Sequence, residues 1–92
     1  MSILTVFNLT TMNAEKYNKA INGLAAAGQG KPKGRLYHIA TPKEDGSMIV
    51  TDIWESSESL DEFGKILIPV LTEAGVTPVE PKVYPVLNVI EG

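Results

Sequence analysis

The stretch "GRLYHIATPKEDGSMIVTDIWES", residues 34–56, decides the fold. Residues 35–41 (RLYHIAT) and 47–55 (SMIVTDIWE) are rich in β-branched and aromatic side chains, as strands are. Between them PKEDG carries the proline, acids and glycine of a tight turn. Two strands joined this closely form an antiparallel hairpin. One residue fits poorly: Asp52 interrupts an apolar strand two residues before the only tryptophan, Trp54.

Outward from the hairpin, each flank reads as one helix and one strand. Upstream, SILTVFN (2–8) is nearly continuously apolar, as in a central strand. Asn13 then caps a helix with Glu15 in its first turn, and Met12 packs on Tyr17 as a hydrophobic staple. Tyr17, Ala20, Ile21 and Leu24 follow helical spacing, Gly28 is a left-handed stop, and GQGKPKG (28–34) is a flexible connector. Downstream, Ser56 caps a second helix whose apolar stripe is Leu60, Phe63, Leu67, Leu71 and Ala74, with Gly75 at its end. Pro69 lies inside that helix and is expected to kink it or split it in two. An extended link (77–81) leads to a last strand, KVYPVLNVI (82–90), where Pro85 predicts a bulge or a sheet edge.

The order is β-α-β-β-α-β over one domain, residues 1–92. Right-handed crossovers make this an α+β, ferredoxin-like fold: a four-stranded antiparallel sheet in the order 4-1-3-2, with both helices on one face. The other face is left bare, and Val6, Val50 and Val86 are expected on it. So small a chain has little core of its own, and covering that face by homodimerisation is the economical solution.

Composition removes several function classes. A net charge of −3 and a pI near 5.0 argue against nucleic acid, which needs a basic footprint. Lys31, Lys33 and Arg35 cluster, but read as a solvated loop. Cysteine is absent, which excludes disulfides, thiolate catalysis and Cys-based metal sites. One histidine among scattered carboxylates predicts no metal. No apolar run approaches the roughly 20 residues that span a bilayer, and the N-terminus lacks a signal-peptide pattern; a cytoplasmic protein without membrane contact is expected. Among proteins of this topology, a metallochaperone would need a Cys-x-x-Cys loop and an RNA-recognition domain its stacking aromatics. An acylphosphatase would need a phosphate cradle that NLTTMN does not offer.

The stretches GRLYHIA (34–40), TDIWESSESLDEF (51–63), PVLTEAGV (69–76) and PKVYPVLNVIEG (81–92) resemble the dimeric α+β barrel superfamily that includes the antibiotic biosynthesis monooxygenases. The likeness is nearest to small, uncharacterised bacterial members and extends over essentially the whole chain. It implies a homodimer and, for some members, a cofactor-independent oxygenase or isomerase reaction; other members degrade haem or have no known reaction. Asn8 matches an asparagine of the haem-degrading members, and Phe63 falls near the place of their tryptophan. Glu73, however, stands near the place of their haem-ligating histidine, so no haem, and no other cofactor, is expected.

His38 is the only histidine, and hairpin register decides whether it meets Asp52. A three-residue loop, Glu44-Asp45-Gly46, places the two opposite each other; a two-residue Asp45-Gly46 turn puts them on opposite faces. The first is preferred because Pro42-Lys43-Glu44 continues poorly as paired strand. His38 and Asp52 would then be an acid–base pair, and Trp54, on the face of Asp52, a flat apolar wall for a small aromatic or enolisable molecule. Trp54, Asn8 and Phe63 are the candidate substrate-binding residues. Against the catalytic reading stands a structural one, in which the pair fixes strand register, Trp54 fills the core, and the protein binds or assembles without catalysis.

Overall fold

A computed structural model describes all residues, Met1 to Gly92. The chain runs β1 (Ile3–Leu9), α1 (Ala14–Ala26), β2 (Arg35–Pro42), β3 (Met48–Trp54), α2 (Ser57–Glu73) and β4 (Lys82–Pro85). The sheet is antiparallel throughout, in the order β2-β3-β1-β4. This is the ferredoxin-like α+β arrangement.

Local chemistry sets the boundaries. The Asn13 side chain accepts from the Lys16 amide and starts α1, and Ser56 accepts from the Ser59 amide and starts α2. Gly28 and Gly75 follow the two helices with φ of +78° and +81°, a region that costs other residues about 1–2 kcal/mol. Gly34 is needed twice over: its φ is +87°, and a Cβ there would overlap the Ser59 side chain at the start of α2. That close approach is tied by the Glu55 amide donating to the Gly34 carbonyl at 2.8 Å.

Burial alternates along β3: Met48, Val50, Asp52 and Trp54 are buried under the helices, while Ile49, Thr51 and Ile53 point the other way. In β1, Thr5, Phe7 and Leu9 share the helix side. Two apolar clusters form there. One holds Phe7, Leu9, Met12, Ala20, Met48, Val50, Leu71, Ala74 and Val76. The other holds Leu24, Trp54 and Phe63. Between them runs a polar row, His38–Asp52–Thr5, aligned across three neighbouring strands. Asp52 is the centre of that row.

Three expectations need correction. Val50 belongs to the core beneath the helices and not to the bare face. α2 is not split in two: it runs as one 17-residue helix through Pro69. Pro69 is exposed, and the Lys65 carbonyl that loses its donor also belongs to an exposed residue, so water can replace the bond while Leu67, Val70 and Leu71 hold the helix on the core. The last strand ends at Pro85, well short of residue 90. One further ladder bond, Val86 amide to Ser2 carbonyl at 3.0 Å, survives beyond it. After that the chain leaves the edge, and Glu91 reaches the opposite edge of the sheet, where it accepts from the Tyr37 hydroxyl at 2.7 Å.

Candidate functional site

The hairpin loop sets the site's register. Lys43 donates to the Ser47 carbonyl at 2.7 Å, Gly46 donates to the Lys43 carbonyl at 2.9 Å, and Gly46 has φ +86°. This is the three-residue loop with a left-handed glycine. Asp45 locks it by accepting from both the amide and the hydroxyl of Ser47, bonds that hold its carboxyl below the usual carboxylate range. His38 therefore lies directly opposite Asp52.

The two side chains meet, and a third joins them. His38 Nδ1 is 2.6 Å from Asp52 Oδ1, and His38 Nε2 is 2.7 Å from the Tyr17 hydroxyl. A carboxylate can only accept, so Nδ1 carries the proton; Nε2 of the neutral ring is left to accept from Tyr17. The phenol and imidazole planes are 7° apart, so the relay lies nearly flat between α1 and the sheet. Burial pushes the Tyr17 phenol above its ordinary pKa; the Arg35 charge pulls it back down, and the Asp52 carboxylate pushes it up. Tyr17 is thus a neutral O–H donor at physiological pH. Asp52 is almost wholly enclosed, with 4% of its side chain exposed against 22% for His38.

The relay forms one wall of a partly open cavity of about 40 Å³. Its polar end, with half-buried Tyr17, His38 and Arg35, lies at the β2 edge, and its apolar end is closed by Phe7, Leu9, Phe63, Leu67 and Leu71. No cluster of three or more metal-ligating side chains occurs.

Of the residues singled out from the sequence, the fold brings His38, Asp52 and Phe63 to this cavity. Trp54 shares their side of the sheet but is fully buried, packed against Phe63 with ring centroids 5.2 Å apart and planes tilted by 42°, and outside the cavity lining. It supports the wall without forming it. Asn8 lies on the opposite face, paired with Ile49, where its side-chain oxygen accepts from Lys43 at 2.7 Å. Tyr17 and Arg35, read from the sequence as a packing residue and a loop cation, both line the cavity. The Met12 staple was the available signal for Tyr17, since it turns that residue toward the sheet.

No family model matches the chain, and no curated protein matches it. Solved structures do. A Deinococcus radiodurans protein provisionally named an antibiotic biosynthesis monooxygenase superposes with a TM-score of 0.61 at 17% identity, covering 99% of this chain and 97% of its own. SnoaB, a cofactor-independent oxygenase from Streptomyces nogalater, gives 0.58 at 14% identity, with 99% and 96% covered. A Caulobacter crescentus protein, also provisionally named as such a monooxygenase, gives 0.55 at 17% identity, with 97% and 89% covered. The chain shares the α+β barrel fold of antibiotic biosynthesis monooxygenase-like proteins. At these identities the likeness is one of fold.

Proposed function

We propose that the protein moves a proton on a small, enolisable aromatic molecule without a cofactor, as an oxygenase or an isomerase. The observation that carries this reading is the Asp52–His38–Tyr17 relay ending at an apolar cavity. A substrate C–H proton passes to the phenol oxygen as the phenol's own proton passes to Nε2. The resulting imidazolium is held by Asp52, and the phenol is restored. Return of the proton at another carbon completes an isomerisation; reaction of the carbanion with dioxygen begins an oxygenation. The cofactor-independent chemistry named for SnoaB is consistent with this reading.

Deuterium exchange tests it without knowledge of the natural substrate. Anthrone and a cyclic 1,3-diketone, incubated with the protein in D₂O and followed by NMR, should exchange faster than without protein. Tyr17→Phe should return exchange to the protein-free rate while leaving the circular dichroism spectrum unchanged. No acceleration by the native chain would sink the proposal. A cavity of 40 Å³ is far below the roughly 300 Å³ of ordinary ligand sites, and this favours a second reading in which the relay only straps β2 to α1. In that case Tyr17→Phe lowers stability and nothing else.

The working unit we propose is a homodimer through the uncovered sheet face, where Leu4, Val6, Ile39, Ile49, Ile53 and Tyr84 remain half-buried or exposed. Light scattering should give twice the 9.9 kDa chain mass, and Ile39→Glu should halve it. A folded native monomer at micromolar concentration would exclude this.

A further inference from the structure

β2 and β3 pair one-to-one from Pro42 to Tyr37, and then the register slips: Tyr37 faces Ile53 and Arg35 faces Trp54. Leu36 is the extra residue of a β-bulge. Simple alternation from His38 would put Leu36 under the helices and Arg35 on the bare face. The bulge reverses this. Leu36 is left 51% exposed, and Arg35 enters the row that faces the helices and lines the cavity beside Tyr17 and His38. A leucine is turned out to water so that a guanidinium can be turned in.

That guanidinium has little to do in the free protein. Of its five N–H donors, one makes a long bond of 3.3 Å to the Gly30 carbonyl. It has no carboxylate partner; Asp52, the acid enclosed at this site, is already committed to His38. Its charge is nevertheless felt at the Tyr17 hydroxyl, where it opposes the effect of burial.

We propose that Arg35 binds the anionic oxygen that appears on the substrate when its proton leaves, and so is the residue that selects enolate- or phenolate-forming substrates. The proposal rests on the proton-transfer reading above, and the charges balance under it. Before transfer the site holds one carboxylate and one guanidinium, with neutral imidazole and neutral substrate. After transfer the imidazolium pairs with Asp52 and the substrate oxyanion pairs with Arg35, so the total charge stays the same and each ion has a partner. Tyr17, its own proton now on Nε2, offers the O–H it has gained to the same oxyanion. A preformed guanidinium at a developing negative charge, joined by the O–H that Tyr17 gains, is an arrangement that lowers such barriers.

The test uses p-nitrophenol, whose visible absorption separates phenol from phenolate, with the native chain, Arg35→Gln and Arg35→Lys. The native chain should bind the phenolate in preference to the phenol. Arg35→Gln should lose about tenfold or more in phenolate affinity with the phenol unaffected, and Arg35→Lys should fall between, since an ammonium keeps the charge but not the fork. Arg35→Gln should also slow deuterium exchange of the 1,3-diketone. Circular dichroism establishes that each variant is folded. Equal weakening of both forms, or none, would assign Arg35 to tethering the 28–34 connector and overturn the proposal. Native-chain exchange that Arg35→Gln leaves untouched would defeat the role of Arg35 alone. No exchange and no binding by the native chain would defeat the proton-transfer reading, and this inference with it.

Discussion

Replacing His38 by alanine should destabilise the fold by about 3 kcal/mol, and replacing Asp52 by alanine should cost distinctly less, about 1–2 kcal/mol. The asymmetry comes from what each deletion leaves behind. Without His38, the Asp52 carboxylate stays enclosed between two apolar clusters with 4% of its side chain exposed and no other side-chain donor. An enclosed charge without a partner forfeits its hydration and recovers nothing. Without Asp52, the imidazole remains 22% exposed, can stay neutral, and still accepts from Tyr17. The double variant supplies the sharper check. It contains no orphaned carboxylate, so His38→Ala/Asp52→Ala should be more stable than His38→Ala alone. Urea unfolding followed by Trp54 fluorescence, at one fixed protein concentration, measures all three. An Asp52→Ala chain as weak as His38→Ala, or no recovery in the double variant, would mean that Asp52 is solvated by some other route.

The same residues show what could be read in advance. Period-2 and period-3.6 patterning, with capping at Asn13 and Ser56, placed every element and the strand order, because these signals are local or follow from handedness. The His38–Asp52 juxtaposition was legible as one of two registers; Asp45, which would need a positive φ in the two-residue turn and does not have one, and the Lys43–Ser47 bond decide between them. The bulge was not legible. Nothing in GRLYHIA marks Leu36 as the extra residue, and without the bulge Arg35 stays a loop cation. Tyr17 was hidden differently: its spacing identified a core-facing position, but its hydrogen bond joins residues 21 positions apart and depends on how α1 packs on the sheet. The end of β4 was overextended because periodicity alone does not show that Pro85 closes the ladder.

Truncating Trp54 to alanine should cost about 3–5 kcal/mol, the usual penalty for emptying a large aromatic site. Trp54 is fully buried against Phe63 and Leu24, with Ile3, Leu67 and Val70 around their cluster. Trp54→Phe should be far milder than the loss of ring area suggests. The indole Nε1–H is buried without a hydrogen-bond partner, a defect worth about 1–3 kcal/mol, and phenylalanine removes it together with part of the packing. The two costs offset, so the phenylalanine variant should lie within about 1.5 kcal/mol of the native chain. The alanine variant should also acquire a second place for a small aromatic molecule. Its new void is apolar and sits directly under Phe63, a wall of the cavity that Tyr17 and His38 face, so it should stay dry and accept an aromatic guest. Added indole should therefore raise the unfolding midpoint of Trp54→Ala by clearly more than that of the native chain, because a ligand that binds only the folded state stabilises it by mass action. A phenylalanine variant as unstable as the alanine one would mean that the indole N–H is satisfied in solution. Failure of indole to rescue Trp54→Ala would mean that Phe63 collapses into the void, and the cavity beside the relay should then be enlarged at Trp54's expense.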